Sequence, residues 1–278
     1  VTLSGLHGGH SGCDINLGRA SANQQMGRVL YSAMEKFPGL RLADIRGGRF
    51  DNVICPRSEA LAAVPAGSGE EFQAFVREFD AILKNEYAGC DDGITLTCEQ
   101  ADLAAALDAQ TTGRMLHVLL ALPQGVQAMS ADFPGLVQTS LNLGVMALEG
   151  DGLHFSYAVR SSVASQKAML EQRVRSIVEH AGGRVDKRSE YPAWQYQRQS
   201  RLRDTVVGAY EAVYGRKGVI AGTHGGLECG LLTEKFPGMD AVSLGPELHD
   251  VHSPRERLNV PSTQRTYELV CEVLRRSR

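Results

Sequence analysis

Gly222-Thr223-His224-Gly225-Gly226-Leu227-Glu228-Cys229-Gly230, then an apolar run from Met239 to Leu244, then Gly245-Pro246-Glu247-Leu248-His249-Asp250-Val251-His252-Ser253-Pro254, stand late in the chain. Three of the eight histidines fall here, and that concentration calls for an explanation. Glycines let a backbone approach a ligand closely or adopt positive φ. Histidines and carboxylates are the usual ligands and proton carriers of metal hydrolases. The apolar run reads as a buried strand. That reading puts Gly245 to His252 in the loop leaving the strand, where open α/β sheets place their chemistry. The blander alternative is a glycine-rich surface turn with unrelated histidines.

The 278 residues suffice for two domains, and 43% apolar content is enough for a sizeable core. A formal net charge of −3 argues against a nucleic-acid binder. No apolar run reaches the length of a membrane span, and no basic-then-apolar leader stands at the amino end. The six cysteines are scattered without a Cys-x-x-Cys pair, which fits free thiols and a cytoplasmic location. The chain opens on Val1 in a strand-like stretch and reads as if it starts in mid-protein.

From the amino end, residues 1–6 read as a strand leading into His7-Gly8-Gly9-His10-Ser11-Gly12, a tight turn able to present His10. Arg19 to Phe37 carries a helical apolar face, Leu40 to Ile45 reads as a strand, and Asn52 precedes a short apolar stretch ended by Pro56. Leu61 to Val64 reads as another strand. Ser68 with Glu71 predicts a capping box for a helix to about Tyr87, so Glu70-Glu71 is read as helix-dipole chemistry rather than catalysis. Asp91-Asp92-Gly93 predicts a hairpin turn before a strand from Ile94 to Cys98. Asp102 to Leu122 predicts a helix in two pieces, with His117 structural.

Gln138 to Leu148 and Leu153 to Ser161 predict a long hairpin with Arg160 at its mouth, either a carboxylate clamp or an edge charge. Ser165 caps the next helix, and Val185 begins a strand. Residues 1–190 therefore read as an α+β domain of two related units. Beyond Tyr191-Pro192-Ala193-Trp194, residues 201–214 and a stretch capped by Ser262 predict helices, with Val219 to Ala221 and Met239 to Leu244 as short buried strands of a parallel sheet.

These motifs together resemble the M20 metallopeptidases, most closely the aminoacyl-histidine (Xaa-His) dipeptidases of the carnosinase type. The carriers are Gly8 to Gly12, Asn52 before Val53-Ile54-Cys55-Pro56-Arg57, Tyr191 to Trp194, His224 to Gly230, and Gly245-Pro246 through His252-Ser253-Pro254. The resemblance implies a lid of two ferredoxin-like α/β units with antiparallel sheet over residues 1–190. It implies the carboxy-terminal part of an α/β zinc-peptidase catalytic domain over residues 191–278. The implied activity is hydrolysis of dipeptides by water activated between two divalent metals, zinc with manganese or cobalt as alternatives. The implied partners are a small peptide substrate, with no nucleic acid and no membrane, and a homodimer left open.

Residue by residue, the resemblance gives His10 a contact with the scissile carbonyl and Asn52 a second polar contact there. It gives Arg160 the substrate carboxylate; His224, Gly226 and Glu228 the pocket loop; and His252 a metal. His249 is read as a loop residue. The family's remaining metal ligands, including its His-x-Asp motif, precede the lid and are not in this sequence. The expectation is a fragment, inactive alone, of a longer dipeptidase. Other M20-type deacylases, carboxypeptidases or tripeptidases, and a non-catalytic lid-like interaction module, are the alternatives.

Overall fold

In a computed structural model describing residues 1–150, 152–251 and 253–277, the chain divides into two compact units, Val1–Glu190 and Tyr191–Arg278.

The first unit runs β1 (Thr2–Ser4), β2 (Gly9–His10), α1 (Ala22–Lys36), β3 (Arg41–Gly47), β4 (Val53–Ile54), β5 (Ser58–Ala63), α2 (Gly69–Glu86) and β6 (Thr95–Thr97). It continues through α3 (Ala109–Ala121), β7 (Gly125–Met129), β8 (Val137–Glu149), β9 (Gly152–Ser161) and α4 (Ala164–His180). Helix α1 forms because Ala22, Met26, Val29, Leu30 and Ala33 recur on one face, and all five are fully buried. Phe72, Phe75, Val76, Phe79 and Leu83 make the matching stripe of α2. Both helices pack with Leu3, Leu42 and Ile45 of the sheet into one core.

Strand order is β6-β1-β5-β3-β8-β7, with β9 also paired to β8, and every pairing is antiparallel. The first half thus has the β-α-β-β-α-β order of a ferredoxin-like unit. The second half differs from that expectation. Its helices flank a three-strand meander, and no strand forms at Val185. Strand β8 joins the halves: β3 and β7 take different stretches of it, while β9 follows it from Thr139 to Glu149.

Several local expectations change for physical reasons. The Ser68 side chain makes no capping bond. Helix α3 starts at Ala109 because Asp108 accepts from Thr111 N at 2.8 Å, an N-cap that overrides the weaker periodicity before it. Helix α4 begins at Ala164, and Ser165 lies inside it. Strand β7 escaped the sequence reading because it is five residues long and twice irregular in register. The turn at Asp91-Asp92-Gly93 forms, with Ile94 N donating to Asp91 O at 2.9 Å, but it follows helix α2 rather than a strand, and Asp91 is fully buried.

The second unit holds α5 (Arg201–Tyr214), α6 (Glu228–Lys235), β10 (Leu248–His249), β11 (Arg257–Leu258) and α7 (Val260–Arg276). Helices α5 and α7 share a core of Ala209, Leu269 and Val273 flanked by Leu202, Val206, Tyr210 and Tyr214. Asn259 rather than Ser262 caps α7, accepting from Ser262 N at 3.1 Å. The expected strands at Val219 to Ala221 and Met239 to Leu244 are absent. A strand exists only where a neighbour satisfies its backbone groups, and no described segment pairs with either stretch. Among the described residues, no helix is long and apolar enough to cross a membrane.

Candidate functional site

Between β3 and β5 the chain leaves the sheet, makes a turn at Phe50 to Asn52, and returns as β4. There it meets β2 in a two-residue ladder, Gly9 opposite Ile54 and His10 opposite Val53. Past the ladder, Ser11 N donates to Asn52 O at 2.9 Å. Below it, Ile15, Ile54 and Val137 form a small buried cluster that ties the His10 loop and β4 to the start of β8.

The His10 loop is held tightly. Its N–H donates to Asp14 Oδ2 at 2.8 Å, and its carbonyl accepts from Asp14 N at 2.8 Å. Arg19 Nη1 donates to Gly8 O at 2.7 Å. Asp91 accepts from His7 N at 2.6 Å and Ala20 N at 2.7 Å, and its Oδ1 lies 3.0 Å from His7 Nδ1. Gly9 has φ of 137°, and a Cβ there would fall 2.5 Å from Arg19 Nη1 and 2.6 Å from Asp14 Oδ2. Glycine is therefore required at this position.

The His10 side chain is exposed, and its Nδ1 accepts from Gly12 N at 3.2 Å. A backbone N–H can only donate, so Nδ1 is the acceptor nitrogen and the proton of the neutral ring sits on Nε2. Arg160 reaches the same place from β9, where its backbone is opposite Ser140. A Cβ added to Gly12 would lie 3.0 Å from His10 Cε1 and 3.5 Å from Arg160 Cζ. Two polar atoms here are buried without hydrogen-bond partners, Ser11 Oγ and Arg160 Nε. Such groups are uncommon, and each asks for an account.

The structure thus brings His10, Asn52 and Arg160 together. Asn52 is exposed, and its carbonyl is engaged by Ser11. Just beyond, Cys55 is fully buried and donates to Asn23 Oδ1 and Arg57 O; burial pushes its thiol up to about 11. The other three candidates belong to the second unit. His224 is half-buried at a bend, and Gly226 lies against the Tyr191 ring, 2.7 Å from where its Cβ would stand. Glu228 is the exposed first residue of α6, where an acid also favours the helix dipole. His249 lies in β10 opposite Arg257. His252 lies outside the described residues. Among the described residues, no three of His, Cys, Asp or Glu are grouped so as to hold a metal ion.

Residues 1–90, from β1 through α2, match the M20 peptidase dimerisation domain. Over 276 residues the chain is 33% identical to the cytosol non-specific dipeptidase of Escherichia coli K12, across 99% of this chain. The crystal structure of aminoacylhistidine dipeptidase from Vibrio alginolyticus matches 99% of the chain with a TM-score of 0.91 and 34% identity. The chain is similar to M20 peptidases over nearly its whole length. It spans 57% of the Escherichia coli protein and 56% of the Vibrio chain. The mixed α/β architecture with its antiparallel sheet is shared with the M20 dipeptidase structure.

Sequence reasoning missed the residues that hold this arrangement in shape. Asp14, Asp91 and Asn142 carry it, and the third left a legible trace. It is a lone amide in the apolar run Leu141-Asn142-Leu143, and it is fully buried.

Proposed function

We propose that this chain is the substrate-holding part of a metal-dependent dipeptidase with a preference for Xaa-His dipeptides. In this reading residues 1–190 are the lid and residues 191–278 complete a catalytic domain whose other segments, like those of the longer relatives, lie beyond this sequence. The observation that carries the proposal is the shared point above Gly12. There the His10 ring and a guanidinium with an unpartnered buried Nε both come close to the place that a Gly12 Cβ would take.

Arg160 binds the terminal carboxylate of a dipeptide. Its planar fork matches a carboxylate in two bonds, and an unpaired buried Nε–H gains a partner on binding. His10, with its proton on Nε2, donates to the scissile carbonyl oxygen as negative charge develops there. Asn52 offers a second polar contact; by the resemblance, His224, Gly226 and Glu228 belong to a substrate-binding loop of the second unit.

The family's two divalent cations would supply an activated water. The described residues do not furnish a set of ligands for them. The reading assigns His252 alone to this chain as a ligand, with the others on the remaining part of the enzyme. The chain by itself is then inactive.

Replacing Arg160 by methionine in the longer, active protein tests the carboxylate assignment. The reading expects KM for dipeptides to rise far more than kcat falls, and dipeptide amides to be indifferent to the change. An equal loss on acids and amides would contradict it.

A further inference from the structure

The excursion that carries Asn52 is pinned by two buried asparagines. At its base, Asn23 Nδ2 donates to Gly47 O and Leu143 O, and Asn23 Oδ1 accepts from Cys55 Sγ. At its tip, Asn142 of β8 has both amide hydrogens engaged, donating to Asp51 O at 2.7 Å and Val53 O at 2.8 Å. These are the carbonyls on either side of Asn52. The orientation of the Asn142 amide is itself fixed, since Asn142 Oδ1 accepts from Gln124 Nε2 at 3.0 Å. Gln124 is locked in turn by Leu143 N, which donates to its Oε1 at 2.6 Å.

The backbone of the excursion lies directly on β8. A Cβ at Gly144 would fall 2.4 Å from Phe50 O and 2.5 Å from Asp51 Cα. From Asn52 the restraint passes on, because its carbonyl holds Ser11 N, next to His10. Arg160 is fixed by the same strand through a different connection, the β8–β9 ladder at Ser140.

We propose that Asn142 is the positioning residue of this site, holding the Asn52 turn and through it His10 in register with Arg160. The claim rests on the function proposed above for those three residues. Asn142 touches none of the substrate in this account; it acts through the two carbonyls it binds. Its polar atoms are all satisfied, so it is not itself a vacant ligand site.

The test uses the whole 278-residue chain, isotopically labelled, with glycylglycine as the probe, in wild type and in Asn142→Asp and Gln124→Glu. In Asn142→Asp a carboxylate oxygen replaces the donor and faces two carbonyl oxygens. Gln124→Glu leaves Asn142 in place but favours the reversed amide, which keeps the test alive if the first variant folds poorly. In wild type, the Arg160 Nε–H and His10 ring signals should shift together on one saturation curve. In both variants Arg160 should still respond, and His10 should not.

Without ligand, the Ser11 amide should exchange at least about tenfold faster in the variants while α1 amides keep their rates. Unchanged Ser11 exchange and an unchanged His10 response would overturn the proposal. So would equal acceleration throughout the core, which would make Asn142 merely structural. A wild type in which neither signal moves would sink the substrate-site reading, and Ser11 exchange would still decide the role of Asn142.

Discussion

The His10 imidazole and the Arg160 guanidinium converge on one point above Gly12, where an added carbon would stand 3.0 Å from the first and 3.5 Å from the second. They come from opposite ends of the Val1–Glu190 unit, and the meeting depends on β8. The relationship makes Gly12 a measurable position. Its φ is not in the left-handed region, so alanine costs the backbone little. The methyl would instead crowd the His10 ring, while the guanidinium at 3.5 Å makes an ordinary contact. Gly12→Ala should leave the fold intact and lower dipeptide kcat/KM of the longer protein by about 10- to 100-fold, the scale of a misplacement near 1 Å. Steady-state kinetics beside a thermal melt would check both halves.

Asp91 anchors the start of this loop. Alanine there strands the N–H groups of His7 and Ala20, both now bonded to its carboxylate. An unsatisfied buried donor costs about 1–3 kcal/mol, so Asp91→Ala should lose roughly 2–4 kcal/mol in urea unfolding. The neighbouring Asp92 is exposed and accepts from Gly89 N, so its alanine variant should lose less than about 1.5 kcal/mol. Equal losses would show that the three-bond anchor is unimportant.

The cysteines should separate by reactivity. Burial pushes the Cys55 thiol up to about 11, and it is fully enclosed, whereas Cys13 is exposed. The thiolate is the reactive form. Iodoacetamide at pH 8 should therefore modify Cys13 in the native protein and reach Cys55 only on unfolding, as peptide mass mapping would report.

Acid should weaken the Tyr191–Arg278 unit through Asp240. Burial alone would raise this carboxyl, but hydrogen bonds from Ser200 Oγ and Leu202 N outweigh it and hold the group below its ordinary value. The folded state then binds the proton more weakly than the unfolded one. The stabilisation is present above the ordinary aspartate value near 3.9 and is lost as pH falls through the lower folded value. Asp240→Asn should be less stable than wild type at pH 7, and the gap should close towards pH 3. A gap that is as large at pH 3 as at pH 7 would contradict the linkage.

How far the sequence reaches is clearest element by element. The helices α1, α2, α5 and α7 and the β8–β9 hairpin have strong periods or turn signals and could be read directly. The short β7 could not, because its pairing to β8 depends on a partner and its pattern is broken by register shifts. Val219 to Ala221 looks like a strand by composition, yet Val219 is 92% exposed. Composition states a preference for burial, and only a neighbouring strand can satisfy it. His10 and Arg160 stand out from their turn and hairpin positions, and the family resemblance gives them and Asn52 their roles; spacing along the chain could not have placed the three at one point. Asn142 needed the structure, since a single amide inside an apolar strand reveals a buried bond but not its partners.

The central claim is that this chain binds and orients a dipeptide while most of the metal ligands lie elsewhere in a longer enzyme. Dipeptide hydrolysis with added zinc tests it most directly, measured on this chain and on a protein extended to the full length of the relatives, each with His252→Ala. The account predicts hydrolysis by the extended protein only, abolished by His252→Ala. Zinc-dependent hydrolysis by the 278 residues alone would contradict it.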